Sequence, residues 1–171
     1  MFIIFAGLPG TGKSTIAHQL AECLGAMYLR IDTIEHAIRS SGILPPETGV
    51  GPAGYITAYQ IAADNLRLGR SVIADSVNPL KLTRQAYRHI AQEAGIGFLE
   101  VEVICTDVDM HRNRVETRQT DVEGLEKPSW EQVEARRYEP WDRPHLVLNT
   151  AFLSVDQSIE RIVAALNGPS P

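Results

Sequence analysis

Eight residues near the amino terminus, Gly7-Leu8-Pro9-Gly10-Thr11-Gly12-Lys13-Ser14, have the types and spacing of a phosphate cradle, G-x-x-x-x-G-K-S. The glycines let the main chain wrap closely round an anion, so that successive N–H groups point inward as donors. A helix opening near Lys13 turns its positive end toward the same oxygens. Lys13 is placed to reach the outer phosphates of a nucleoside triphosphate, and the Ser14 hydroxyl to complete a Mg²⁺ shell. Gly7, Gly10, Thr11, Gly12, Lys13, Ser14 and Thr15 are therefore the expected nucleotide-binding residues. An ordinary glycine-rich turn with an incidental lysine would require both the string and its strand-to-helix setting to mislead. Dinucleotide binding fits less well. No third glycine follows Gly10-Thr11-Gly12 at the required place, and Lys13 fills a position that pyrophosphate approach needs small.

Two aspartates stand where strands should end, and in open parallel sheets the site lies beyond those ends. Asp75 follows the apolar run Ser71 to Ala74 and precedes Ser76, Val77 and Asn78, which are short or polar enough to line a site. There it would hold Mg²⁺, directly or through water, beside Ser14. Asp32 follows Met27 to Ile31, farther along the rim, where an acceptor hydroxyl meets the γ-phosphate. A carboxylate at that point takes the hydroxyl proton and orients the oxygen for in-line attack. Either aspartate would also serve as a helix N-cap, which is the competing account.

A third feature is the charged stretch with His111, Arg112, Arg114 and Arg118, followed by Asp121 to Lys127. Arg114 and Arg118 are four apart and share a helical face. A mobile arginine lid over about 112–128 would neutralise charge spreading over the transferred group and exclude water. Arg136 and Arg137 stand where they could assist. Against this, Glu116, Asp121 and Glu123 would offset the arginines of a merely solvated helix. The five histidines show no ligand spacing, and none is assigned a metal. Trp130, Tyr138 and Trp141 read as packing beneath the lid rather than stacking on a base.

The elements that must position these groups follow from the apolar pattern. Phe2 to Ala6 is a continuous apolar run, as in a strand buried on both faces. Ile16, Leu20 and Leu24 then recur at helix spacing, stopped by Gly25. Met27 to Ile31 predicts a second strand, Thr33 to Arg39 a short helix, and Ser40 to Gly54 a loop or flap. Ile56, Tyr59, Ala63 and Leu66 mark a helix, Ser71 to Ala74 a third strand, and Leu82, Ala86, Ile90 and Ala94 a further helix. Phe98 to Cys105 predicts a fourth strand. Asp107 to Arg118 is helical in composition with little to bury, and Ser129 caps a helix running to about Tyr138. His145 to Leu148 predicts the fifth strand, and Val155, Ile159, Ile162, Val163 and Leu166 the closing helix. Strands and helices alternate, which demands parallel strands with helices on both faces, in one α/β domain over residues 1–171.

Composition narrows the partners. With 171 residues the chain suits one domain, and its formal net charge of −5 gives no general attraction for nucleic acid or an acidic membrane. Any polyanion must be drawn by a local cluster. Cys23 and Cys105 suit neither a disulfide framework nor a metal site and read as small buried apolar residues. No apolar stretch approaches the length of a membrane span, and no basic leader precedes Phe2, so a cytoplasmic protein is expected.

Taken together the chain resembles the P-loop small-molecule kinases, a loose family including chloramphenicol phosphotransferase, gluconate kinase, zeta-type toxins and the kinase domain of phage polynucleotide kinase. The phosphate loop, Arg30-Ile31-Asp32, Val72 to Asn78, and His111-Arg112-Asn113-Arg114 to Arg118 carry the likeness in the family's order. The run from Pro128-Ser129-Trp130 to Asn149-Thr150 resembles a bacterial branch known only as ATPases or kinases. The resemblance implies a three-layer P-loop NTPase sandwich with a five-stranded parallel sheet in order 2-3-1-4-5. It also implies an acceptor carboxylate at Asp32 and a phosphate-binding lid at Arg114 and Arg118. Polynucleotide kinase has an arginine where this chain has Glu35, with Arg39 one turn later as a substitute on the substrate, beside Asn78. The paired arginines that hold a nucleoside monophosphate are not evident. The expected partners are thus ATP, Mg²⁺ and a small hydroxylated acceptor, uncharged or weakly charged. An ATPase or binding module without acceptor, and a nucleic-acid 5′-end kinase, are the alternatives. Asp121-Val122-Glu123-Gly124 matches the D-x-x-G of switch GTPases but falls in the lid, and N-K-x-D is absent.

Overall fold

The computed structural model describes residues 1–45, 48–117 and 127–168. Arg118, the D-x-x-G string and most of the lid's centre lie outside the described residues. The sheet is built from β1 (Phe2–Ala6), β2 (Met27–Arg30), β3 (Val72–Asp75), β4 (Phe98–Ile104) and β5 (Leu146–Asn149). All its pairings are parallel, and the strand order is β2-β3-β1-β4-β5.

The central strand explains the two-sided build. Every residue of β1 is buried, and alternate side chains leave on opposite faces. Phe2 and Ile4 join Leu29, Ala58, Ala62, Leu66, Tyr87 and Ala91, a core roofed by α3 (Ala53–Arg67) and α4 (Lys81–Glu93). Ile3 and Phe5 join Ile16, Leu20, Val101, Leu148 and Ile162, a core closed by α1 (Lys13–Leu24) and α7 (Val155–Asn167). This is the three-layer sandwich, with α2 (Ile31–Ser40) running directly off β2. A third, small core of Val115, Trp130, Val133 and Leu8 joins α5 (Val108–Thr117) and α6 (Trp130–Glu134) to the phosphate loop. Among the described residues no helix is long and apolar enough to cross a membrane.

Several local expectations are corrected. The helix α2 begins at Ile31, so Asp32 lies inside its first turn rather than capping it. On α4 the expected stripe holds only in part: Ile90 is buried, but Leu82 is 72% exposed and Arg84 is fully buried. On α3 Ile56 faces out, while Ala63 and Leu66 of the expected stripe are buried together with Gly54, Ala58 and Ala62. Cys23 is exposed and Cys105 half-buried, not a buried pair. The helix after Ser129 stops at Glu134, four residues before Tyr138, and α5 does bury something, namely His111 and Val115.

Candidate active site

The phosphate loop leaves β1 and returns into α1 through three glycines at positive φ, 140° at Gly7, 84° at Gly10 and 92° at Gly12. Two of these also admit no side chain. A Cβ on Gly7 would lie 2.3 Å from the Val103 carbonyl oxygen, and one on Gly10 would lie 2.5 Å from Val115 Cγ2. The cap of α1 is Gly12, and no side chain takes up the first-turn N–H groups. By contrast α6 and α7 begin with full capping boxes at Ser129 and Ser154. The donors that open α1 are thus left for an external anion.

The loop is braced from behind by residues distant in the chain. His111 Nε2 lies 2.8 Å from the Pro9 carbonyl oxygen, and the imidazole meets Trp130 edge-on. A carbonyl only accepts, so Nε2 carries the proton. Thr150 donates to the Thr11 carbonyl at 2.8 Å, and Arg114 in turn donates to Thr150 Oγ1 at 2.8 Å and to its carbonyl at 3.2 Å. Arg114 is therefore already pinned beside the loop. On the outer face of α5, Arg112 pairs instead with Glu116 at 2.8 Å and is solvated.

Two clefts open from the loop. The larger, 810 Å³, is lined by Gly10, Gly12, Lys13, Ser14 and Thr15, with Tyr28, Arg114, Thr117, Thr150 and Leu153 farther along. The smaller, 450 Å³, is lined by Pro9, Lys13, Asp32, Glu35, Arg39, Val77, Lys127, Gln132 and Arg136. Only 6% of Lys13 is exposed, and it lines both clefts.

The strand ends bring in the acids. Parallel register sets Arg30 beside Asp75, so β2 and β3 deliver both to the same rim. Asp75 is buried, and its Oδ2 accepts from the Tyr28 hydroxyl at 2.7 Å. Its Oδ1 is buried with no hydrogen-bond partner among the described residues. A buried carboxylate oxygen held ready in this way, with the half-exposed Ser14 hydroxyl on the cleft wall, fits the hard oxygen donor set that Mg²⁺ takes. Asp32 is about one-third exposed, and its Oδ2 lies 3.7 Å from an Arg30 guanidinium nitrogen.

Of the expected site residues, Gly10, Gly12, Lys13, Ser14, Thr15 and Arg114 line the larger cleft and Lys13, Asp32 and Arg39 the smaller, whereas Gly7, Thr11, Asp75 and Asn78 line neither. Asn78 is fully buried beneath the cleft rather than on its lining. Its N–H donates to the Tyr55 hydroxyl at 3.0 Å, and its carbonyl accepts from Arg84 at 3.0 Å. It is also the one non-glycine residue with positive φ, 47°, among the described residues. Glu35, noted only as a departure, is a cleft residue packed against the first turn of α3, where a Cβ on Gly54 would come within 2.6 Å of its Cγ. Burial, and then the Asp32 charge, raise its pKa above the ordinary 4.5, while Arg39 and Arg136 pull it down. His111 and Thr150 were missed as braces of the loop. Tyr138 and Trp141 do pack, but on Arg84, with its guanidinium carbon 5.1 Å and 4.2 Å from the two ring centres.

Comparison with known proteins bears on this arrangement. The family model described as AAA domain matches residues 2–140. An uncharacterized protein of Mycobacterium tuberculosis is 31% identical over 125 residues, 67% of this chain and 25% of the relative. The chain thus spans about a quarter of the length of the mycobacterial relatives it matches. An inferred adenylyl-sulfate kinase of Aeropyrum pernix is 29% identical over 170 residues, 90% of this chain and 85% of the relative. Among solved structures, a proposed kinase of Chloroflexus aurantiacus superposes with a TM-score of 0.77 at 21% identity, covering 95% of this chain and 96% of the other. The APS kinase of Mycobacterium tuberculosis, solved with AMPPNP and APS, superposes with a TM-score of 0.67 at 20% identity, covering 98% and 97%.

Proposed function

The chain belongs to the P-loop family that the AAA domain model describes, and on that premise we propose that it is an ATP-dependent phosphotransferase acting on a hydroxyl of a small acceptor. One observation carries the reading: Lys13 lines two clefts at once, one running along the phosphate loop and one containing a carboxylate, Asp32. A nucleotide-binding module without an acceptor needs only the first. The kinases among the relatives and structural neighbours, one of them solved with AMPPNP, are consistent with it.

In this reading the triphosphate lies along the larger cleft, its β- and γ-phosphates taken by the loop N–H groups and by Lys13. Ser14 and Asp75 would hold Mg²⁺, which when bound neutralises charge on the phosphate oxygens. Arg114, fixed by Thr150, faces the same cleft and meets charge as it develops. Asp32 accepts the acceptor's hydroxyl proton from the smaller cleft and orients the oxygen. Arg30 keeps that carboxylate in place.

The reading is tested by separating binding from transfer. Lys13→Ala removes a charged donor to the outer phosphates and should weaken Mg-ATP roughly 10- to 100-fold in a calorimetric titration. Asp32→Asn keeps the shape but takes no proton, so Mg-ATP affinity should stay near wild type while transfer falls on the order of 10²- to 10⁴-fold. Equal losses of affinity in the two variants would refute the division of labour between the clefts.

A further inference from the structure

The smaller cleft is more cationic than an uncharged acceptor requires. Four basic side chains, Lys13, Arg39, Lys127 and Arg136, line it against two carboxylates, Asp32 and Glu35. This excess sits in a chain whose formal net charge is −5, so it is a local feature rather than a general bias. If Lys13 serves the nucleotide, three cations remain for whatever fills the rest.

Those three differ from the molecule's structural arginines. Arg84 donates to the carbonyls of Asn78, Pro79, Glu139 and Pro140, and Arg88 pairs with Glu100 and Asp142. Among the described residues Arg39 and Arg136 form no ion pair, although both act electrostatically on Glu35. They come from two separate elements, α2 and the turn after α6, and line the same cleft as Glu35, on which both act. In the open cleft water solvates them. An occupant that displaces that water must supply acceptors for their forked donors, or the cleft closes at a cost.

Position along α2 gives the occupant a polarity. Asp32, Glu35 and Arg39 fall at i, i+3 and i+7 and share a face, so Arg39 lies two turns, ~10 Å, from Asp32. We propose that the acceptor carries, besides the hydroxyl directed to Asp32, an oxyanion (carboxylate, sulfate or phosphate) held between Arg39 and Arg136 with Lys127 at the rim. The inference rests on the smaller cleft being the acceptor site. It departs from the uncharged acceptor expected from sequence, because Arg136 and Lys127 are brought to Arg39 only by folding.

The test uses inorganic sulfate, with acetate as the planar counterpart, titrated into protein already saturated with Mg-AMPPNP so that the phosphate loop is filled. One sulfate should bind. Arg39→Gln and Arg136→Gln should each weaken it by roughly tenfold or more, and Arg136→Lys should recover part of the loss. Melting temperature with Mg-AMPPNP present reports whether each variant folds. Acetate binding with the same dependence marks a carboxylate-bearing acceptor, and sulfate alone a tetrahedral one; both support the assignment. No sulfate bound to the loaded protein would overturn it. So would sulfate binding unchanged in both variants, or an equal weakening of Mg-AMPPNP, which would give these cations to the nucleotide. If Mg-AMPPNP itself does not bind, the phosphotransfer reading fails separately. Sulfate titration of free Lys13→Ala, whose phosphate loop is impaired, still decides whether Arg39 and Arg136 hold an anion.

Discussion

At the scale of single residues, Glu35 shows how environment redefines a side chain. Its carboxyl is half-buried against α3 beside Asp32, and both raise its pKa above the ordinary 4.5. The folded protein therefore holds this proton more tightly than the unfolded chain does. The stability it contributes is full below that ordinary value and is lost as pH rises through the higher folded one. Glu35→Gln keeps a neutral side chain at every pH. Its melting temperature relative to wild type should thus climb as pH is raised from about 4 to about 8. Parallel melting curves across that range would show that the carboxyl ionises as freely in the fold as in water. The phosphate loop needed no such environment to be recognised, because its chemistry lies in consecutive residues. His111 was invisible by the same logic: it reaches the Pro9 carbonyl across 102 positions, and nothing in its neighbours announces that contact.

At the scale of elements, α4 is the instructive case. Apolar spacing predicts a stripe of Leu82, Ala86, Ile90 and Ala94, but the buried residues are Arg84, Tyr87, Arg88, Ile90 and Ala91, so only Ile90 of the stripe is among them. A helix whose inner face carries two arginines defeats a reading based on hydrophobic periodicity alone. Arg84 is enclosed because the chain around 138–141 wraps it, with Tyr138 and Trp141 against its guanidinium and four carbonyls accepting from it. That wrapping fixes the segment following Arg136, and hence one wall of the smaller cleft. Arg84→Met fills similar volume but strands the carbonyls of Asn78, Glu139 and Pro140, while that of Pro79 keeps the Glu139 N–H. It should destabilise the protein by about 3 kcal/mol or more in a denaturant titration. A loss under about 1 kcal/mol would mean the segment is held by its aromatic packing instead. The strands were easier to read. They are short and mainly apolar, and the boundaries moved by only a residue or so, as at β5.

At the scale of the whole molecule, alternation of strands and helices required a parallel sheet, and the resemblance to P-loop kinases implied the order 2-3-1-4-5 that the structure has. That order puts β1 at the centre, with β3 on one side and β4 on the other. The phosphate loop therefore opens between the strand end that carries Asp75 and the β4–α5 connection leading to His111 and Arg114. Asp32 comes from the first turn of α2, which runs directly off the edge strand β2, and Lys13 lines both clefts. What sequence did not reveal is the lining of the smaller cleft, assembled from α2 and the 127–136 region, which lie nearly a hundred residues apart. The claim that these clefts serve one reaction is tested most directly by the fate of label from γ-³²P-ATP. Protein, Mg²⁺ and labelled ATP are incubated with a set of small hydroxy acids and phosphate or sulfate esters, and the products are separated. The label should appear in an organic ester, and that fraction should vanish in Asp32→Asn while ATP still binds. Label released only as inorganic phosphate, at the same rate in wild type and Asp32→Asn, would contradict the account.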